Sequence, residues 1–251
     1  MNRRQFSQQL LTTVAGYALV ESLFTTQAFS SSLSPITDHW AKRLNEYCGD
    51  LRKEAITPAE WQKLVDQLFQ QVDFQDLLQF IEFERLLKGF TYPDLGVHTR
   101  PVQFPKLSGL PEQTLFVKKI FGMKKDRAII PHGHSNMASA HLVLKGEMHL
   151  RHYEKVGQDN QHLLIKPTVD KITRPGESSS ISDEKDNIHW FIAQSETAFT
   201  FDVIMLDLKG RSYDIHNIDI YEKQDLRDGT LRVPILEVGA ALKKYGKNTH
   251  H

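Results

Sequence analysis

The sequence predicts an all-β domain with a helical N-terminal extension, the β part folded as a double-stranded β-helix or jelly roll. Three features predict it. From Leu115 onward, short runs of β-favouring residues follow one another with Gly, Asp and Ser turns between them, the pattern of a sandwich or barrel. Upstream, apolar residues recur at helical spacing instead. Between the two lies a stretch rich in Pro and Gly. A chain of 251 residues has room for one large all-β domain and a helical addition. The expected organisation is residues 1–30 as an export-like signal segment, 31–95 as the helical region and 96–251 as the β-barrel domain.

The elements follow in order. Met1-Asn2-Arg3-Arg4-Gln5-Phe6-Ser7 sets paired arginines ahead of a moderately apolar stretch from Leu10 to Phe24, and small and polar residues come next. This order resembles a bacterial twin-arginine export signal, which implies the export machinery as a partner and a periplasmic destination, the alternative being an uncleaved membrane anchor. Glu21 interrupts the apolar run and makes it a poor membrane span. Residues 30–37 read as a polar linker. Trp40, Leu44, Tyr47 and Leu51 then recur at helical spacing. Thr57-Pro58-Ala59-Glu60 starts a second helix, with Thr57 as N-cap, Pro58 in the first position and Glu60 closing a capping box. Trp61, Leu64, Val65, Leu68 and Val72 share its face. Asp73 caps a further expected helix that carries Leu77, Leu78, Ile81 and Leu86 and ends at Gly89.

Residues 90–112 read as an irregular connection. The expected strands are Leu115–Phe121, Arg127–Pro131, Ala138–Leu144, Glu147–Glu154, His162–Pro167, Ile188–Ala193 and Thr197–Leu206. The stretch from Pro234 to Tyr245 can end in a short helix.

Charge and cysteine content narrow the function. Basic and acidic side chains number 31 each, so the chain lacks the excess positive charge on which general nucleic-acid binding rests. The single cysteine, Cys48, excludes an intrachain disulfide and a thiolate metal cluster. A metal would have to be held by histidines and carboxylates.

Such residues are present. His132 and His134 stand one residue apart, and on a strand residues i and i+2 point to one face. Both imidazoles would enter one cavity, as two ligands of a divalent cation must. His189, in Asn187-Ile188-His189-Trp190, lies far downstream among β-favouring residues. His141 shares the parity of Ser139 and Val143. It reads as a barrel-wall histidine, a substrate contact or a fourth ligand. Asp202 alternates with Phe201 and Val203, and an acid among apolar residues implies a specific partner, structural or catalytic. Arg151 is expected to pair on the surface, and Cys48 to serve as a small packing residue.

His132-Gly133-His134, then four residues to Ser139 and six more to Gly146, resembles the first motif of the cupin superfamily, and His189 falls where the second motif places its last histidine. Where many cupins carry a ligating glutamate this chain has Ser139. Three histidines without that glutamate resemble the thiol dioxygenases. The local likeness is to the plant cysteine oxidase and 2-aminoethanethiol dioxygenase family, through residues 144–154, Asn187-Ile188-His189, Phe201-Asp202-Val203 and Gly210-Arg211. It covers roughly residues 115–215. The resemblance implies a cupin barrel, His132, His134 and His189 as Fe(II) ligands, and Asp202 near the site. Two departures are plain: Ser139 rules out a cysteine–tyrosine crosslink there, and Met205-Leu206-Asp207-Leu208 replaces a usual Pro-Pro-Tyr.

Three neutral imidazoles leave Fe(II) its full charge and open positions for a thiolate and O₂, with a sulfinic acid as product. Imidazole accepts Zn, Ni and Cu as readily, and Mn remains a further candidate metal. The expected function is an Fe(II) dioxygenase of a small thiol. The alternatives are another metal-dependent cupin enzyme, such as a dicarbonyl or aromatic-acid dioxygenase or an isomerase, and a non-catalytic cupin that binds a metal or small ligand.

Overall fold

Two antiparallel sheets are stacked with helices over the outer face of one of them. The computed structural model describes residues 35–226 and 228–247; the twin-arginine-like segment 1–30 lies outside them. Among the described residues four helices come first: α1 (Pro35–Arg52), α2 (Pro58–Gln71), α3 (Phe74–Phe80) and α4 (Phe83–Leu87). The strands are β1 (His98–Pro101), β2 (Val117–Lys124), β3 (Ala128–Ser135), β4 (Ala138–Lys145), β5 (Met148–Gln158), β6 (His162–Thr173), β7 (Ser178–Ser182), β8 (Ile188–Ala193), β9 (Thr197–Met205), β10 (Asp214–Ile218), β11 (Gln224–Asp225) and β12 (Leu231–Leu236). Helix α5 (Val238–Tyr245) follows.

Strand order identifies the architecture. The first sheet runs β1-β2-β9-β4-β7 and the second β10-β3-β8-β5-β6-β12-β11. Within them, β2-β9-β4-β7 faces β3-β8-β5-β6, the two four-stranded halves of a jelly roll. The fold is thus the double-stranded β-helix that the sequence predicts. The second sheet curls further, so that β10 also pairs with β12 through Asn217↔Leu236 and Ile218↔Ile235. Its far face thereby encloses Leu163, Ile165, Ile188, Trp190, Ile218 and Val233.

The helices bury the outer face of the first sheet. Ala138, Ala140, Leu142 and Leu144 of β4 and Phe199, Phe201, Val203 and Met205 of β9 alternate onto that face and join Trp40, Leu44, Trp61, Phe69 and Leu77 in one core. Phe201 packs between Trp40 and Phe69, each ring centroid 6.4 Å away. Each of the buried Leu, Val, Met and Phe side chains contributes about 1.5–3 kcal/mol. Helix α2 begins as its sequence dictates: Thr57 Oγ1 accepts the Glu60 backbone N–H, and Glu60 accepts the Thr57 backbone N–H, forming a capping box. Cys48 is free and fully buried in this core.

Four differences from the sequence reading have physical causes. The helix expected from Asp73 to Gly89 is two helices, broken at Glu82, whose φ of 52° is left-handed; the turn lets Phe80, Ile81 and Phe83 all enter the core. Part of the expected connection 90–112 is strand β1, which pairs with β2. From it the Arg100 guanidinium donates to the carbonyls of Leu86, Lys88 and Gly89 and so caps the end of α4. Strand β7, Ser178–Ser182, carries no apolar alternation. Its serines face polar groups of α2 instead: Ser178 and Ser180 donate to Asp66, and Ser182 donates to Gln62 at 2.5 Å. Strand β3 runs past Pro131 to Ser135, because a bulge absorbs the proline.

Candidate metal centre

That bulge sets the phase of the histidine pair. On β3, Ile129 stands opposite Phe191 of β8, but His132 stands opposite His189, one residue out of register. The extra residue falls at Ile130-Pro131, where proline has no N–H to give to the ladder. Upstream of it Ile129 faces the interior with Met148, Leu150 and Phe191. Downstream, His132 and His134 face the interior together. His189 is paired in register with His132 on one side and with His152 of β5 on the other.

Gly133 and Asn187 fix the strand locally. The Asn187 side-chain amide accepts the backbone N–H of His134 at 3.1 Å and donates to its carbonyl at 2.9 Å. It also donates to the Ser182 carbonyl. A Cβ at position 133 would stand 2.7 Å from Asn187 Oδ1 and 3.0 Å from Ile188 Cγ1. Only glycine leaves room for this clamp.

The three ring nitrogens converge. His189 Nε2 lies 3.1 Å from His132 Nε2 and 3.4 Å from His134 Nε2, and ligand atoms of all three lie within 4.8 Å of one another. His132 Nδ1 donates to the Ile130 carbonyl at 2.7 Å, which leaves its Nε2 a bare lone pair. A single proton on His189 Nε2 satisfies only one of its two contacts. One cation facing all three nitrogens satisfies them together. Nitrogens about 2.0–2.1 Å from a shared ion, at right or tetrahedral angles, stand about 2.9–3.4 Å apart, which is the spacing of both close pairs. Burial also holds the rings neutral, as ligands must be. It depresses His132 to a pKa of about 4 and His134 and His189 well below the usual histidine range. The three histidines therefore form a candidate metal site, and no carboxylate joins it among the described residues.

Across the cavity stands a second pair. His141 of β4 and Asp202 of β9 are register partners, both almost completely buried. His141 Nδ1 lies 2.6 Å from Asp202 Oδ2. With Nδ1–H donated to the carboxylate, Nε2 carries the lone pair, and this nitrogen has no hydrogen-bond partner. The His141 ring centroid is 4.8 Å from that of His189. His141 is thus hydrogen-bonded at one nitrogen and free at the other, beside the trio but not within it.

The trio, His141 and Asp202 line one cavity of about 330 Å³, whose other walls include Val117, Phe121, Met137, Ile204 and Leu206. Lys119, Tyr213 and Asn217 also reach it. The sequence reading did not single these out, nor Asn187. His152 of β5, the register partner of His189, is also buried, and burial lowers its pKa to about 3. Arg151 pairs with Asp170 at 3.2 Å on the outside and lies over the Trp190 ring.

No family model matches the chain, and no curated protein does. Among solved structures, a recombinant oxalate oxidase in complex with glycolate is 16% identical over 47% of this chain and 54% of that one, with a TM-score of 0.36. A cupin superfamily protein from Desulfitobacterium hafniense is 9% identical over 47% and 84%, with a TM-score of 0.31. KdgF from Halomonas sp. is 12% identical over 47% and 87%, with a TM-score of 0.32. The chain spans about half the length of the oxalate oxidase chains it matches. Likenesses of this size set no activity.

Proposed function

We propose that the protein is an Fe(II)-dependent dioxygenase that oxidises a small thiol to a sulfinic acid. The observation that carries this reading is the donor set: three neutral imidazole nitrogens with no carboxylate among the described residues, on one wall of a mainly apolar cavity. When bound there, iron would retain its full dipositive charge, favour an anionic sulfur ligand and bring that sulfur and O₂ together.

The chain's own residues do the rest. His132, His134 and His189 would hold the metal, with the Ile130 carbonyl fixing the His132 tautomer. His141 Nε2 is placed to take the proton of the incoming thiol, because its other nitrogen is committed to Asp202. The Asp202 carboxylate would stabilise the imidazolium that results. The largely apolar walls lower the local dielectric, which strengthens each of these charge interactions. Atoms and electrons balance without a reductant: R–SH and O₂ give R–SO₂H, sulfur losing the four electrons that dioxygen gains, and the proton held by His141 returns with the product.

Export through the twin-arginine route belongs to the same proposal. That route carries folded proteins and suits one that loads its metal before leaving the cytoplasm.

The test is anaerobic purification with elemental analysis, then O₂ uptake with cysteamine, cysteine, 3-mercaptopropionate and an N-terminal-cysteine peptide. Stoichiometric iron, thiol-dependent uptake and a product holding both atoms of labelled O₂ are expected. Iron-loaded protein inert toward all four thiols would overturn the reading in favour of another metal-dependent reaction.

A further inference from the structure

Among the described residues, Lys119 is the one side chain on the cavity wall whose charge is left without a close partner. Strand β2 alternates Val117, Lys119 and Phe121 into the cavity and Ile120 into the helical core. Lys119 stands opposite Asp202 in register, and Asp202 opposite His141. Cross-strand partners share a face, so Lys119, Asp202 and His141 form one polar row across the inside of the first sheet. The ammonium group belongs to a residue only 7% exposed. Burial lowers its pKa, and Asp202 opposes that only as a more distant charge, its Oδ2 being held by His141. Among the described residues nothing lies within hydrogen-bond or ion-pair reach of Lys119 Nζ. An unpaired cation is costly to shield from water, and a lysine that merely packed its stem would direct its head outward. This one directs it into the cavity that holds the metal site.

We infer that Lys119 anchors a carboxylate of the substrate, the far end of the molecule whose sulfur faces His132, His134 and His189. This rests on the thiol reading above and narrows it to small mercaptocarboxylates. Charge supports the match: neutral imidazoles, one aspartate, one lysine and a divalent cation leave the cavity doubly positive, the complement of a thiolate and a carboxylate on one molecule.

Cobalt(II)-loaded protein tests this without turnover, since thiolate binding gives a sulfur-to-cobalt charge-transfer band. Wild-type protein is expected to bind 3-mercaptopropionate at least tenfold more tightly than 2-mercaptoethanol. Lys119→Met should abolish that preference and leave 2-mercaptoethanol binding unchanged, while Lys119→Arg should keep part of it. Equal affinities in wild type overturn the inference while leaving the thiol reading intact, and need no folded variant; so does a preference that survives Lys119→Met. If no thiol produces the band, the thiol reading falls. Propionate titration of the cobalt spectrum then decides the anchor: a perturbation lost in Lys119→Met sustains it, and one that persists, or none at all, refutes it.

Discussion

Replacing His189 by alanine separates a ligand from a core residue. Two ligands of the trio remain, both on β3, and the nitrogen that lies 3.1 Å and 3.4 Å from its neighbours is gone. In wild type, zinc at a hundred times its dissociation constant stabilises the folded state by about 2.7 kcal/mol. For a domain of this size each kcal/mol moves Tm by about 2–4 °C, so a shift of about 5–11 °C is expected. In His189→Ala that shift should vanish. The metal-free variant should nonetheless fold. Truncation removes ring contacts with His141 and Phe191, at 4.8 and 5.7 Å between centroids, beside an existing cavity. It also removes a buried Nδ1 that has no partner, a group that costs about 1–3 kcal/mol. The net loss should stay below about 3 kcal/mol, against a typical total of about 5–15 kcal/mol. Thermal melts with and without zinc, and metal analysis after dialysis, read both numbers. Full metal occupancy, or an undiminished zinc shift, would refute the role given to this residue.

Other perturbations probe the surrounding parts. Asp202→Asn keeps the shape of the dyad but not its charge; turnover should fall by about 10²–10⁴ with iron content unchanged, and an unaltered kcat would remove His141 and Asp202 from the chemistry. Gly133→Ala forces a Cβ against Asn187 Oδ1 and should cost about 2–4 kcal/mol through the two buried hydrogen bonds it displaces; an unmoved urea midpoint would show that the clamp is unimportant. Burial pushes the Cys48 thiol up to about 12, so an aromatic disulfide reagent should label it only after unfolding, and rapid labelling of native protein would mean that the helical layer opens readily. Arg3→Lys combined with Arg4→Lys should retain the protein in the cytoplasm on fractionation, whereas normal export would remove the signal argument.

How much of this could be read in the residues depended on how each strand is buried. The second sheet near the site kept a legible pattern: His132 and His134 share a face, and His189 is the interior member of Ile188-His189-Trp190. The first sheet did not. On β2, β4 and β9 both faces are buried, one under helices and one in the cavity, so apolar residues occupy both parities and the direction of Lys119 could not be told from that of Lys118. Asp202 and His141 stood out only because a carboxylate and an imidazole are rare among such neighbours. The phase of β3 was hidden as well, since the bulge at Ile130-Pro131 changes which parity faces inward. Strand β7 was invisible because its serines match Asp66 and Gln62, which belong to a helix more than a hundred residues earlier.

The same double burial explains how the cavity can hold so many polar groups. Four imidazoles, a carboxylate and an ammonium group lie between sheets whose inner faces would ordinarily supply the main apolar core. Here that work is moved outward, to the helix-covered core around Trp40, Trp61 and Phe201 and to the curled second sheet around Trp190 and Val233. Helices α1–α4 are therefore part of what allows the site to exist, although among the described residues none of theirs lines the cavity. Gln62 and the half-buried Asp66 link the layers: Gln62 accepts from Ser182, and the Asp66 carboxyl, its pKa raised by desolvation, is held by Ser178 and Ser180 on the strand paired with β4. The strand that carries His141 is thus held from behind by α2, and its position at the metal depends on helical packing that makes no contact with substrate.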